Sequence, residues 1–126
     1  MIKTIEITIW ERKFNLPVEY DCYKGEKVTK EQMSALEAFK SQGRWIEDSK
    51  KKVEAFCRDD VKGDDENQKK DNIFSYIKPE SIFVKRDKEN PRVAIMCKYR
   101  YDPEHGIAVV FSHDGKVTVG IQDIIL

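Results

Sequence analysis

The residues best suited to chemistry lie near the C-terminal end. Asp102, Glu104 and His105 fall within four positions, and His113, Asp114 and Asp123 follow. Carboxylates clustered with an imidazole can hold a divalent cation, or act as general acid and base. Two features count against that chemistry. Glu104 and His105 are adjacent, and the H-E-x-x-H spacing is absent. The same stretch, Asp102-Pro103-Glu104-His105-Gly106, is also what a tight turn requires: Asp caps, Pro fixes φ and Gly accepts a positive φ. The turn reading is therefore preferred, with an enzyme centred on Asp102, Glu104 and His105 kept as the alternative.

Other reaction chemistries find less support. No G-x-S-x-G elbow is present. The three cysteines, Cys22, Cys57 and Cys97, contain no C-x-x-C pair, and their odd number argues against a disulfide framework. All three are expected to be buried in the core. With only six glycines, the chain has no P-loop and no G-x-G-x-x-G phosphate cradle. No catalytic residue, metal ligand or cofactor is assigned from the sequence.

Charge narrows the partner classes. The chain has 23 basic and 23 acidic side chains and a net charge of zero. Nothing in that balance draws it toward nucleic acid or an anionic membrane. Lys50-Lys51-Lys52 is flanked by Glu47, Asp48 and Glu54. Lys98 and Arg100 alternate with Tyr99 and Tyr101, so the basic and aromatic side chains point to opposite sides of a strand. Asp59, Asp60, Asp64, Asp65 and Glu66 concentrate acid in one polar stretch, which can steer a basic protein partner. These five residues are the candidate partner-binding group.

The elements around these residues follow from periodicity. Ile5, Ile7 and Ile9 alternate with polar residues and predict a half-buried strand, ended by a polar break at Glu11-Arg12-Lys13. Phe14 to Cys22 alternates again. Pro17 marks this second strand as an edge strand, or as one bulged at Pro17. Thr29-x-x-Gln32 is a capping box that opens a helix carrying Met33, Leu36 and Phe39, and Gly43 stops it. A second helix is expected from about Arg44 to Cys57. Residues 58–72 are almost wholly polar and read as one long loop. A short helical turn near 73–77 is ended by Pro79, and Ser81 to Val84 is a short strand.

Val93 to Tyr101 is a strong strand, and Ile107 to Phe111, apolar on both parities, is a central one. Asp114-Gly115 predicts a two-residue hairpin in which Phe111 faces Thr118 and Val110 faces Val119. That register puts the main core on the Ala108 and Val110 face. The expected architecture is one α+β domain over residues 1–126, in which an antiparallel sheet, formed by two N-terminal strands and a C-terminal meander, packs against a helical hairpin. Glu6 and Glu11 interrupt any signal-peptide core, and no window is long enough to span a bilayer. A soluble, cytoplasmic protein without membrane contact is expected.

The segment Tyr101 to Phe111, followed by Val119-Gly120-Ile121-Gln122-Asp123, resembles a family of small uncharacterised bacterial proteins. Its mark is an aromatic–D-x-E-H-G–apolar strand, a hairpin and a G-x-Q-D ending. Thr29, Gln32, Ala35, Leu36 and Phe39 resemble its first helix, and Ile77 to Val84 the strand before its meander. This chain has Tyr101 where Trp is common. The resemblance implies a companion of polymorphic or contact-dependent toxin systems, an immunity factor that binds and blocks a cognate toxin. It carries no catalytic residue across. It marks Asp102, Glu104, His105, Gly106 and Asp123 as a motif of turn geometry or of function.

Overall fold

The computed structural model describes residues 3–22, 25–41, 43–60, 76–86, 92–100, 104–112 and 115–125. Six strands form one sheet in sequence order: β1 (Lys3–Ile9), β2 (Arg12–Tyr20), β3 (Ile77–Val84), β4 (Val93–Tyr99), β5 (Ile107–Phe111) and β6 (Val117–Gly120). Two helices, α1 (Lys30–Ser41) and α2 (Gly43–Asp60), cover one face. A short 3-10 helix, Gln122–Ile124, follows β6. The α+β class and the helical hairpin are as expected. One seam differs from a purely antiparallel sheet, because β2 and β3 run parallel. The chain leaves β2, passes through both helices and returns in the same direction, as a crossover connection must.

The parallel ladder is short. It pairs Val18 with Ile82, Glu19 with Phe83 and Tyr20 with Val84. It begins immediately after Pro17, which has no N–H to give. Across the seam, β3 has a bulge between Pro79 and Ser81. The expectation that β2 is an edge strand is therefore corrected: β2 lies between β1 and β3, and Pro17 is tolerated where the ladder stops. The helical turn expected near 73–77 falls mostly outside the described residues, and Pro79 is not at its end. Pro79 lies inside β3, opposite Cys97 of β4.

The main core lies between the helices and the sheet. Ile5, Ile9, Leu16, Val18, Ile82, Val84, Ile95, Val109 and Phe111 meet Leu36, Phe39, Ile46 and Val53 there. Phe39 and Phe111 touch with ring centroids 5.2 Å apart. The expected hairpin register is corrected by one residue. Phe111 pairs with Val117, Val110 with Thr118 and Val109 with Val119. Ser112 N–H bonds to Lys116 O, Gly115 N–H bonds to Ser112 O, and Gly115 has φ +85°. The loop is one residue longer than the Asp-Gly signal implies, with Gly at the left-handed position. The slip moves the helix-covered core to the Ile107, Val109 and Phe111 face. Ala94, Met96, Ala108 and Val110 form a smaller cluster on the face opposite α1 and α2, under Ile125.

The capping box is made reciprocally. Gln32 N–H donates to Thr29 Oγ1 at 3.1 Å, and Thr29 N–H donates to Gln32 Oε1 at 3.0 Å. Gln32 goes further. It is fully buried, and its amide donates to Asp21 O at 3.0 Å and Val84 O at 3.2 Å, tying α1 to the ends of β2 and β3. The first hairpin turns at Trp10 and Glu11, both with positive φ (50° and 72°), so Arg12 and Lys13 belong to β2 rather than to a break. Both central residues being left-handed is the mark of a type I′ turn, normally a place for Asn and Gly. Trp10 is held there by its indole N–H, which donates to the buried Ser49 Oγ of α2 at 3.1 Å. Lys50 of α2 pairs with Glu11 at 3.8 Å.

Candidate functional site

The C-terminal motif is assembled at the start of β5. Gly106 has φ +62°, and a Cβ there would lie 2.6 Å from both Cys97 O and Gln122 Nε2. Gln122 closes over it. Its backbone N–H donates to His105 O at 3.2 Å, and its side chain donates to Cys97 O at 3.1 Å. Gly120 serves the same closure, because a Cβ there would meet Ile124 at 3.0 Å. The tail is thereby folded onto the face opposite α1 and α2, and Ile125 is buried on it. Gly106, the carbonyl of His105, Gly120 and Gln122 thus form a lock that fixes the end of the chain.

The side chains of Glu104, His105 and Asp123 are exposed. Asp102, His113 and Asp114 lie outside the described residues. Among the described residues, no group of three or more His, Cys, Asp or Glu is placed to hold a metal ion. The acidic group is divided. Asp59 and Asp60 form the last residues of α2, so the helix extends past the expected end at Cys57. Asp64, Asp65 and Glu66 lie outside the described residues, as does the rest of the 61–72 stretch.

The cysteines do not share one environment. Cys57 and Cys97 are buried as expected, but Cys22 is only half-buried, which corrects its placement in the core. It lies beside Arg86, at 3.6 Å from Nη1, and Gln32 Oε1, at 3.9 Å. Burial pushes the Cys97 thiol well above its ordinary pKa, with Cys57 and then Glu80 adding to the effect and Arg12 opposing it. Such a thiol is poorly suited to nucleophilic attack. Burial also raises the Tyr20 phenol, with Glu37 contributing less.

Two surface grooves lie on the face opposite α1 and α2, and no sequence signal points to them. One, of about 390 Å³, lies over the β2–β3 seam, with Glu19 and Glu80 beside Phe83, Met96 and Gln122. The other, of about 170 Å³, carries Arg92 and Lys116 with Ser112, Thr118 and Ile124. Pro17 marks where the β2–β3 ladder stops and Pro79 lies at a bulge against β4, and their juxtaposition depends on a strand pairing that local periodicity does not encode. Arg100 stacks over Tyr76, 5.5 Å from the ring centre, while Tyr99 is buried and Lys98 and Arg100 are exposed. Within β4, Lys98 and Tyr99 thus point to opposite sides, while Tyr101 lies outside the described residues.

Among the described residues, no helix is long and apolar enough to cross a membrane. Comparison with curated proteins and with solved structures gave no match. A family model matches the whole of residues 1–126, and the chain belongs to that family, the domain of unknown function DUF6985.

Proposed function

We propose that the chain is a non-enzymatic protein-binding domain whose partner is a cognate toxin, neutralised by occlusion in the bacterial cytoplasm. The observation that carries this reading is the end of α2, which continues to Asp60. The acidic run therefore starts on a helix docked against the sheet, where a partner meets a fixed direction of approach. Local acid steers a basic surface. The resemblance to companions of toxin systems supplies the partner class. The enzyme alternative loses support from the motif itself, because Gly106 and the His105 carbonyl serve the tail lock.

The test uses the protein encoded beside this chain. Co-purification as a stoichiometric complex is expected. Reversing Asp59, Asp60, Asp64, Asp65 and Glu66 to Lys should slow association by about tenfold or more at low salt and flatten its salt dependence. A complex whose on-rate ignores the reversal removes the acidic stretch from the interface. Failure to form any complex removes the toxin reading.

A further inference from the structure

The face of the sheet opposite α1 and α2 carries opposite charges on two sides of the C-terminal tail. Glu19 and Glu80 border one groove, and Arg92 and Lys116 border the other. The tail helix lies between them, with Gln122 touching the acidic groove and Ile124 the basic one. The groove centres are about two strand spacings, roughly 10 Å, apart across the sheet. Ile124 is 39% exposed there, one of two large apolar side chains so exposed among the described residues. An exposed apolar residue flanked by an acidic and a basic site is a surface that can complement itself.

We infer that this face pairs with the same face of a second copy of the chain. A two-fold axis lying in the interface and passing near Ile124 sets each acidic groove against the basic groove of the other copy. Every contact is then made twice, as an isologous interface requires. The Ile124 side chains meet near the axis, where water is excluded. The face opposite α1 and α2 spans about 24 Å across six strands and about 17 Å along them. That footprint belongs to the small end of specific interfaces, below about 1,200 Å² in total, so the dimer is weak and exchanging. The helices, and with them the end of α2, lie on the opposite side of the sheet, so pairing leaves that end uncovered.

Sedimentation velocity on the full chain, from micromolar to millimolar concentration, reads the association directly. The wild type should shift from monomer toward dimer as concentration rises, and back toward monomer as salt is added. Glu19→Lys with Glu80→Lys, and separately Arg92→Glu with Lys116→Glu, should each weaken association by more than about tenfold. An equimolar mixture of the two double variants should regain a dimer, now between unlike copies. Circular dichroism confirms that each variant is folded, and the single changes Glu80→Lys and Lys116→Glu replace any double variant that is not. A wild type that stays monomeric at millimolar concentration overturns the inference. So does a dimer indifferent to the reversals, or a mixture that remains monomeric.

Discussion

The side-chain amide of Gln122 occupies the space that a Cβ on Gly106 would need. The two positions would be 2.6 Å apart, with Cys97 O, the acceptor of that amide, equally close. The close approach of tail and strand, and the hydrogen bond from Gln122 to Cys97 O, therefore depend on one missing methyl group. Gly106→Ala should cost about 2–4 kcal/mol, from a left-handed φ combined with a clash against backbone. Gln122→Ala should cost about 1–2 kcal/mol, through the lost hydrogen bond to a carbonyl that is then less well satisfied. Urea unfolding of both variants measures this. The double variant should cost less than the sum, because the two residues share one contact.

The Trp10-Glu11 turn stores backbone strain that a single substitution can release. Glu11→Gly should stabilise the fold by about 0.5–1 kcal/mol, because glycine accepts φ +72° freely. The Glu11–Lys50 pair that is lost is a long surface contact and contributes little. Ser49→Ala acts in the opposite sense. It removes the acceptor of the Trp10 indole inside the core and should cost about 1–3 kcal/mol. Thermal melts of the two variants should move in opposite directions.

Gln32 is a buried junction of three elements. Gln32→Glu keeps the size and the acceptor but removes the N–H donors that satisfy Asp21 O and Val84 O. A carboxylate facing two carbonyls is repelled by both, so the cost should reach about 3 kcal/mol or more at neutral pH. Gln32→Met leaves the carbonyls unpaired without adding charge and should be the milder change. Denaturant midpoints compared between the two variants separate the charge effect from the lost bonds.

Alkaline pH should weaken the protein, and Cys97 contributes to the slope. Its thiol pKa is raised in the fold, so the folded state keeps a proton that the unfolded chain releases. Stability from this group is complete below the ordinary thiol pKa and falls as pH rises above it. Tyr20, also raised, adds a smaller slope at higher pH. Cys97→Ala lowers stability overall but should flatten the alkaline limb of a stability–pH curve. An unchanged slope in that variant assigns the limb to other groups. Thiol titration should find Cys22 reacting first, since it alone is half-exposed.

Local signals in the sequence were reliable where local interactions decide. The Thr29–Gln32 capping box formed as written, and Ile107 to Phe111 is buried on both parities. The hairpin register was not legible, because residues 107–111 are apolar on both faces and either register satisfies the pattern. A Gly at the left-handed position also serves two loop lengths, so Gly115 could not choose between them. The parallel β2–β3 seam joins residues more than sixty positions apart, and only the crossover sets its direction. Among the motif residues, Gly106 was readable as a turn glycine. Its partner Gln122 was visible only as part of a resemblance, since nothing in local spacing links positions 106 and 122. The opposed grooves depend on side chains from five strands and the tail, a juxtaposition no sequence window contains.

The two tryptophans have a practical consequence for anyone who follows this molecule by its emission. Trp10 bonds to Ser49 of α2, and Trp45 of the same helix lies against Gly115, within 2.7 Å of where a Cβ would sit. Both fluorophores thus report the seating of one helix on the two ends of the sheet. Detachment of the C-terminal tail, on the far side of the sheet, leaves both indoles in place and stays optically silent. Hydrogen exchange at Gln122 and Ile125, whose amides bond to His105 O and Gln122 O, sees that opening where fluorescence does not.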